Sequence, residues 1–175
     1  MPESPLNENA TLPVWDFVST CQIKGKDGFL LIEAKANEGE LDWDGKELPR
    51  TASDQSVLNH AHIAAAISEI CRQLEKALGD KVALGIASHY QLANRVAWSA
   101  KLAGIGIPVV LVYLGFIGDT YFPWNLRDAG HWERVMGAYM HGMLPLSLPG
   151  RQVTFPCGGT WSLLVCSRHV REPSK

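Results

Sequence analysis

The chain has 175 residues, 46% of them apolar, enough to bury one substantial core, and its net charge of −2 argues against a broad electrostatic grip on nucleic acid while leaving room for a local basic patch. No apolar run approaches the roughly 18 to 20 residues of a membrane span, and residues 1 to 13 lack the basic start and apolar centre of a secretion signal. The expectation is a soluble, cytoplasmic, single-domain protein over residues 1–175, with no membrane association.

Cys21, Cys71, Cys157 and Cys166 show neither the C-x-x-C pairing of zinc sites nor the density of a disulfide scaffold, so reduced thiols are expected. Acids gather at Glu38, Glu40, Asp42 and Asp44, and bases at Arg151, Arg168, Arg171 and Lys175. An ordinary solvated surface accounts for both groups.

In chain order, residues 14 to 36 read as a β-hairpin: VWDFVSTCQI and FLLIEAKA are rich in β-branched and aromatic residues, and KGKDG between them is turn chemistry. Residues 37 to 57 are polar and aperiodic, a long loop of the kind that often carries function. From 58 to 78, Ile63, Ile67, Ile70, Cys71, Leu74 and Leu78 recur at helical spacing and Gly79 is a stop signal. The segment VALGIA, 82 to 87, suits a strand or a helix equally. Ser88 with Gln91 forms a candidate capping box for a helix from 88 to 103, with Leu92, Val96, Ser99 and Ala103 as its buried stripe and Gly104 past its end. IPVVLVYLGF, 107 to 116, reads as a central strand covered on both faces. A helix from 128 to 143, a Pro/Gly-rich turn region and a strand around 161 to 166 complete an α/β pattern, with no internal repeat.

The chemistry concentrates in the hairpin. Side chains alternate along a strand, so Glu33 and Lys35 share a face with Leu31, while Ile32 and Ala34 point the other way. A turn centred on Lys24 and Gly25 sets Asp16 opposite Glu33; a symmetric five-residue loop KGKDG would instead oppose Asp16 to Ala36 and spoil the site. In the first register two carboxylates converge near one lysine, which suits Mg²⁺ or Mn²⁺, hard cations that take oxygen ligands and keep several waters. Lys35 would then orient or help deprotonate an attacking water and stabilise developing phosphate charge. A lone E-x-K is more often a solvated cross-strand pair, and the surrounding stretch is what shifts the balance.

That stretch, PVWDFVSTCQIKGKDGFLLIEAKA, resembles the PD-(D/E)xK superfamily of restriction-endonuclease-like proteins, with Asp16 followed by Glu33-Ala34-Lys35. The resemblance implies a mixed β-sheet flanked by helices, Asp16 and Glu33 as metal ligands for Mg²⁺ (or Mn²⁺), Lys35 as a catalytic residue, and hydrolysis of phosphodiester bonds in DNA or RNA. HYQLANRVAWSAKLAGIGIPVVLVYLGF, 89 to 116, is similar to a group of uncharacterised bacterial proteins with this core. By the same resemblance Gln91 matches a Gln beside the catalytic residues, and Arg95, one turn on, is a nucleic-acid-binding candidate for a phosphate. Read from sequence alone, Gln91 is equally the capping partner of Ser88, and Arg95 an exposed charge.

The chain departs from the family pattern in three respects. Val14-Trp15 replaces the Pro before the Asp. Residues 1 to 13, with Pro2, Pro5 and Pro13, do not readily form the helix and strand that usually precede it. An additional helix, 58 to 78, separates the E-x-K strand from the Gln helix. The alternatives are a catalytically inactive nucleic-acid- or protein-binding module and a metal-dependent hydrolase of a small substrate, the latter in keeping with the near-neutral charge. Cleavage of both strands of a duplex would imply a homodimer.

Other candidates carry less. His60 and His62 are two apart on a helix and diverge, and His89, His131, His141 and His169 have no ligand spacing. Asp119 follows a strand end but is explained by the turn Gly118-Asp119. Trp15, Trp43, Trp98 and Trp124 would stack on unpaired bases if exposed, with Trp15 and Trp98 read as core.

Overall fold

The computed structural model describes residues 13–119, 121 and 123–170. The hairpin forms as β1 (Phe17–Ile23) and β2 (Lys26–Lys35), followed by a 3-10 turn at Glu38–Glu40. Then come α1 (Asp54–Leu78), α2 (Tyr90–Gly104), β3 (Val109–Ile117), α3 (Ala129–Met140), β4 (Gln152–Thr154) and β5 (Thr160–His169). The sheet order is β1-β2-β3-β5-β4, with β2, β3 and β5 parallel and the outer strands antiparallel, so the fold is a mixed α/β sheet with three helices among the described residues.

The hairpin turn is the two-residue form, not KGKDG. Ile23 pairs with Lys26, and Lys24 and Gly25 both adopt left-handed backbone at φ 51° and 77°, the geometry that matches strand twist in a tight hairpin. Every pair from Phe17↔Ile32 onward therefore holds the register that sets Asp16 opposite Glu33.

Four sequence expectations need adjustment. Helix α1 starts at Asp54, four residues earlier than its apolar stripe, because the Ser53 hydroxyl accepts from Ser56 N–H at its start. Gly79 ends it in left-handed backbone as expected. Ser88 and Gln91 form no capping box: α2 begins after His89, which is left-handed (φ 50°) and offers no side-chain cap. The 82–87 segment is neither strand nor helix. Its neighbourhood pairs irregularly with the preceding loop, through Lys46 N–H to Ile86 O and His89 N–H to Trp43 O. Finally, β5 is longer than the apolar stretch that signalled it, and the three-residue β4 gave no pattern to read.

Along one sheet face, register aligns Leu31, Leu111 and Leu163, then Glu33, Tyr113 and Val165, then Lys35, Gly115 and Ser167. Helices α2 and α3 pack on this face: Trp161 donates its indole N–H to Ser99 of α2 at 2.8 Å, and Trp132 of α3 lies over Gly115. Helix α1 packs beside α2 and against β4, burying Ile67, Ile70, Leu74 and Leu78. The opposite face carries Leu30, Ile32, Ala34, Val110, Leu114, Phe116 and Leu164, all partly buried, so the covering expected on both sides of β3 is fuller on the helix side. Four free cysteines complete the picture, with Cys71 buried and its thiol directed to Leu84 O.

Candidate active site

The buried charged positions of β2, Glu33 and Lys35, lie at its C-terminal end, the end at which parallel strands of α/β domains place ligand-binding groups. Glu33 and Lys35 are 3% and 5% exposed, so these two are a buried pair and not a solvated strand pair. Lys35 Nζ donates to Glu33 Oε1 at 2.5 Å. The other oxygen, Oε2, accepts from Arg95 Nε at 2.6 Å. Buried charges persist only when paired in this way, because desolvation costs several kcal/mol per ion.

Arg95 does more than neutralise Glu33. Its Nη2 donates to Val14 O at 2.7 Å, and its guanidinium lies 4.9 Å from the Trp15 ring centroid. One side chain thus ties α2 to β2 and to the segment that delivers Asp16. Arg95 is 9% exposed and committed to these partners, which is neither the free phosphate contact nor the solvated charge that the sequence suggested.

Asp16 stands just before β1, exposed, and its Oδ2 accepts from Ala34 N–H at 2.7 Å. That bond pins the carboxylate to the backbone between Glu33 and Lys35. Gln91, one helical turn before Arg95, is half-buried, and its Oε1 is buried without a protein partner.

Sequence reasoning missed the groups that β3 and α3 bring to the same place. Tyr113 is in register with Glu33 and wholly buried, with its hydroxyl unpartnered. Burial pushes that hydroxyl well above its ordinary pKa, with Tyr139 and Glu33 adding to the shift and Arg95 opposing it. Tyr139 of α3 donates to Asp42 O at 2.9 Å, and it too is raised, first by burial and then by the Asp42 charge. Gly115, in register with Lys35, is required there: a Cβ would lie 2.7 Å from the Trp132 indole. A Gly inside an apolar strand signals such a close approach, and Tyr113 is the only polar side chain in that strand; both signals were present in IPVVLVYLGF.

The loop after β2 folds back over the cluster. Glu40 accepts from Ala36 N–H and Asn37 Nδ2, Leu41 is buried, and Glu38 pairs with His131 at 3.1 Å. Trp43 packs edge-on against His89 and Tyr139, with ring centroids 5.0 and 5.2 Å apart. Elsewhere, His60 bonds Lys46 O and Asp119 accepts from Tyr121 N–H as a turn residue.

Among the described residues no group of three or more His, Cys, Asp or Glu side chains converges as a metal site. Mg²⁺ asks for less, being usually held by one or two carboxylates with its remaining waters, and Asp16 and Glu33 are the carboxylates that the hairpin register sets opposite each other. The Asp16 carboxylate uses Oδ2 in its bond to Ala34, and each Glu33 oxygen carries a second lone pair beyond the one used by its cation. Comparison of the chain with family models, with curated proteins and with solved structures gave no match.

Proposed function

We propose that this protein is a divalent-metal-dependent nuclease, hydrolysing phosphodiester bonds of DNA or RNA with a site of the PD-(D/E)xK kind on a restriction-endonuclease-like sheet. One observation carries the reading: the hairpin register sets Asp16 opposite Glu33, with Lys35 two residues on and turned to the same buried face. That alternation brings two carboxylates and an amine together at the end of a parallel strand.

Bound Mg²⁺ or Mn²⁺ would be held by Asp16 and Glu33 and would supply Lewis acidity toward a phosphoryl oxygen and a lowered pKa for a bound water. The chain's own groups do the positioning. Arg95 fixes the Glu33 carboxylate through Oε2, and the Ala34 amide fixes Asp16 through Oδ2. Lys35, held by Glu33, presents an ammonium to the charge that develops on phosphate. Gln91 Oε1, with no protein partner, is available to orient an attacking water.

Cleavage of single- and double-stranded DNA and RNA in Mg²⁺ or Mn²⁺, compared with Lys35→Ala, tests this. Loss of cleavage by about a hundredfold or more in the variant is the expected result for removal of a group acting on transition-state charge. Equal cleavage by both proteins would place the activity in another site or a contaminant.

A catalytically inactive module that binds nucleic acid is the second reading, and it has its own observation: both Glu33 oxygens are already matched by cations. Manganese binding separates the two. The nuclease reading expects saturable binding that Asp16→Asn abolishes, whereas the inactive module expects none.

A further inference from the structure

The sequence singled out tryptophans that would stack on unpaired bases if exposed, and the structure sorts them. Trp98, read as core from the sequence, is 41% exposed and lines an apolar groove between α1 and α2, because its face of α2 is only partly covered by α1, and Trp15 is engaged by Arg95. Trp43 is 50% exposed and Trp124 is 76% exposed. Both belong to segments that meet at the end of β2: Trp43 lies in the loop leaving the strand, and Trp124 O accepts from Glu38 N–H while its neighbour Asn125 bridges to Asn37.

Trp43 is a rigid platform. His89 and Tyr139 grip it from behind in edge contacts, and the Tyr139 hydroxyl anchors the adjacent Asp42 carbonyl. His89 holds its ring there from left-handed backbone, a conformation that residues other than glycine seldom adopt. Both ring nitrogens of that histidine are buried and have no protein partner, although buried polar groups are nearly always bonded. A half-exposed indole held by rings behind it is a surface on which a nucleobase can stack.

Charge decides between a paired and an unpaired substrate. The segment that carries Trp43 also carries Glu40, Asp42 and Asp44, all exposed, and the whole chain is net negative. The acidic segment repels phosphates of either form, but a duplex hides its base faces and offers nothing in return, whereas a single strand gains stacking, which needs no charge and tolerates any base.

We infer that Trp43 and Trp124 form a stacking platform for unpaired nucleobases, so that the substrate reaches the Glu33–Lys35 end of the sheet as a single strand or a displaced base. This deepens the nuclease reading and rests on it for the identity of the reacting bond. The platform is tested separately, because binding is measured in EDTA, where metal-dependent cleavage plays no part.

The experiment is fluorescence anisotropy of labelled oligo(dT), oligo(U) and a duplex of equal length. Single strands are expected to bind about tenfold or more tighter than the duplex, and the preference between oligo(dT) and oligo(U) identifies the source of the base. Their affinity should fall by about threefold or less when salt is raised about fourfold, against roughly a thousandfold for a grip built on many phosphates. Trp43→Ala and Trp124→Ala should each weaken single-strand binding by about tenfold, Trp43→Phe should restore most of the loss, and Trp98→Ala should change nothing. Circular dichroism of each variant separates lost stacking from lost folding, with Trp43→Phe and Trp124→Ala standing as independent probes if Trp43→Ala fails to fold. Tighter binding of the duplex, no binding of any oligonucleotide, or single-strand affinity unchanged in both indole variants would overturn the inference.

Discussion

The two halves of the helix-covered sheet face are built from opposite materials. Toward the N-terminal ends of the parallel strands, Leu31, Leu111, Leu163 and Trp161 fill the layer under α2 with apolar volume and one satisfied indole N–H. Two to four residues further along the same strands, the layer holds Glu33, Lys35 and the unpartnered hydroxyl of Tyr113, closed from above by Arg95 and Trp132. The first half obeys the rule that interiors are apolar and interlocking. The second half breaks it with three ionised groups inside one cluster, and folds that violate such rules locally usually do so where they function. The difference teaches where stability and activity should separate on mutation.

The largest effect expected is on the charged half, and it depends on how the charge is removed. Glu33→Gln leaves Lys35 and Arg95 buried without their counter-charge and should cost about 3–5 kcal/mol. Replacing Glu33, Lys35 and Arg95 together by Met, Met and Leu removes the desolvation cost along with the pairing and should be neutral or stabilising, while removing the metal binding that the nuclease reading expects. Urea denaturation with an unchanged m-value is the measurement. If the triple variant is as unstable as Glu33→Gln, the cluster is a structural element and the contrast between the halves dissolves.

How far this contrast was legible in the sequence follows from the range of each interaction. The hairpin was readable because alternation and turn chemistry are local: Lys24-Gly25 supplies two left-handed positions, and from that turn the pairing of Asp16 with Glu33 is a matter of counting. The start of α2 was not readable. Its first amides are met by backbone carbonyls of the 43–44 loop, with Tyr90 N–H bound to Asp44 O, so the side-chain cap expected from Ser88 and Gln91 has no role to play. Arg95 was identified as functional but given the wrong kind of partner to look for, because nothing local announces a carboxylate 62 residues away. Tyr113 stood out in the sequence only as the one polar side chain of its strand, and its pairing with Glu33 follows only from the parallel register.

A smaller effect is expected where the two halves meet. Gly115 lets the Trp132 indole lie directly on the sheet next to Lys35, and Trp132 is 1% exposed, with little room to retreat. Gly115→Ala should cost about 1–3 kcal/mol through overpacking. Because Gly115 is in register with Lys35, the nuclease reading expects cleavage to fall more than stability does, and activity measured well below the denaturation midpoint distinguishes the two.

The smallest expected change in stability at neutral pH comes from Tyr113→Phe, which removes a buried hydroxyl that no protein group satisfies. Deleting an unsatisfied polar atom without leaving a cavity should change stability by about 1 kcal/mol or less, in the stabilising direction. Alkaline pH magnifies the difference. Tyr113 titrates well above its ordinary 10.0 in the folded protein because burial disfavours the tyrosinate, so the folded state holds the proton that the unfolded chain releases. Its contribution to stability is therefore fully present below pH 10 and is lost as pH rises from about 10 toward the raised folded value. Tyr113→Phe should flatten that alkaline decline in a series of urea titrations, leaving the part due to Tyr139, which burial also raises. An alkaline limb unchanged by the substitution would mean that the hydroxyl is satisfied in solution, and that the polar half of the sheet face is wetter than its burial implies.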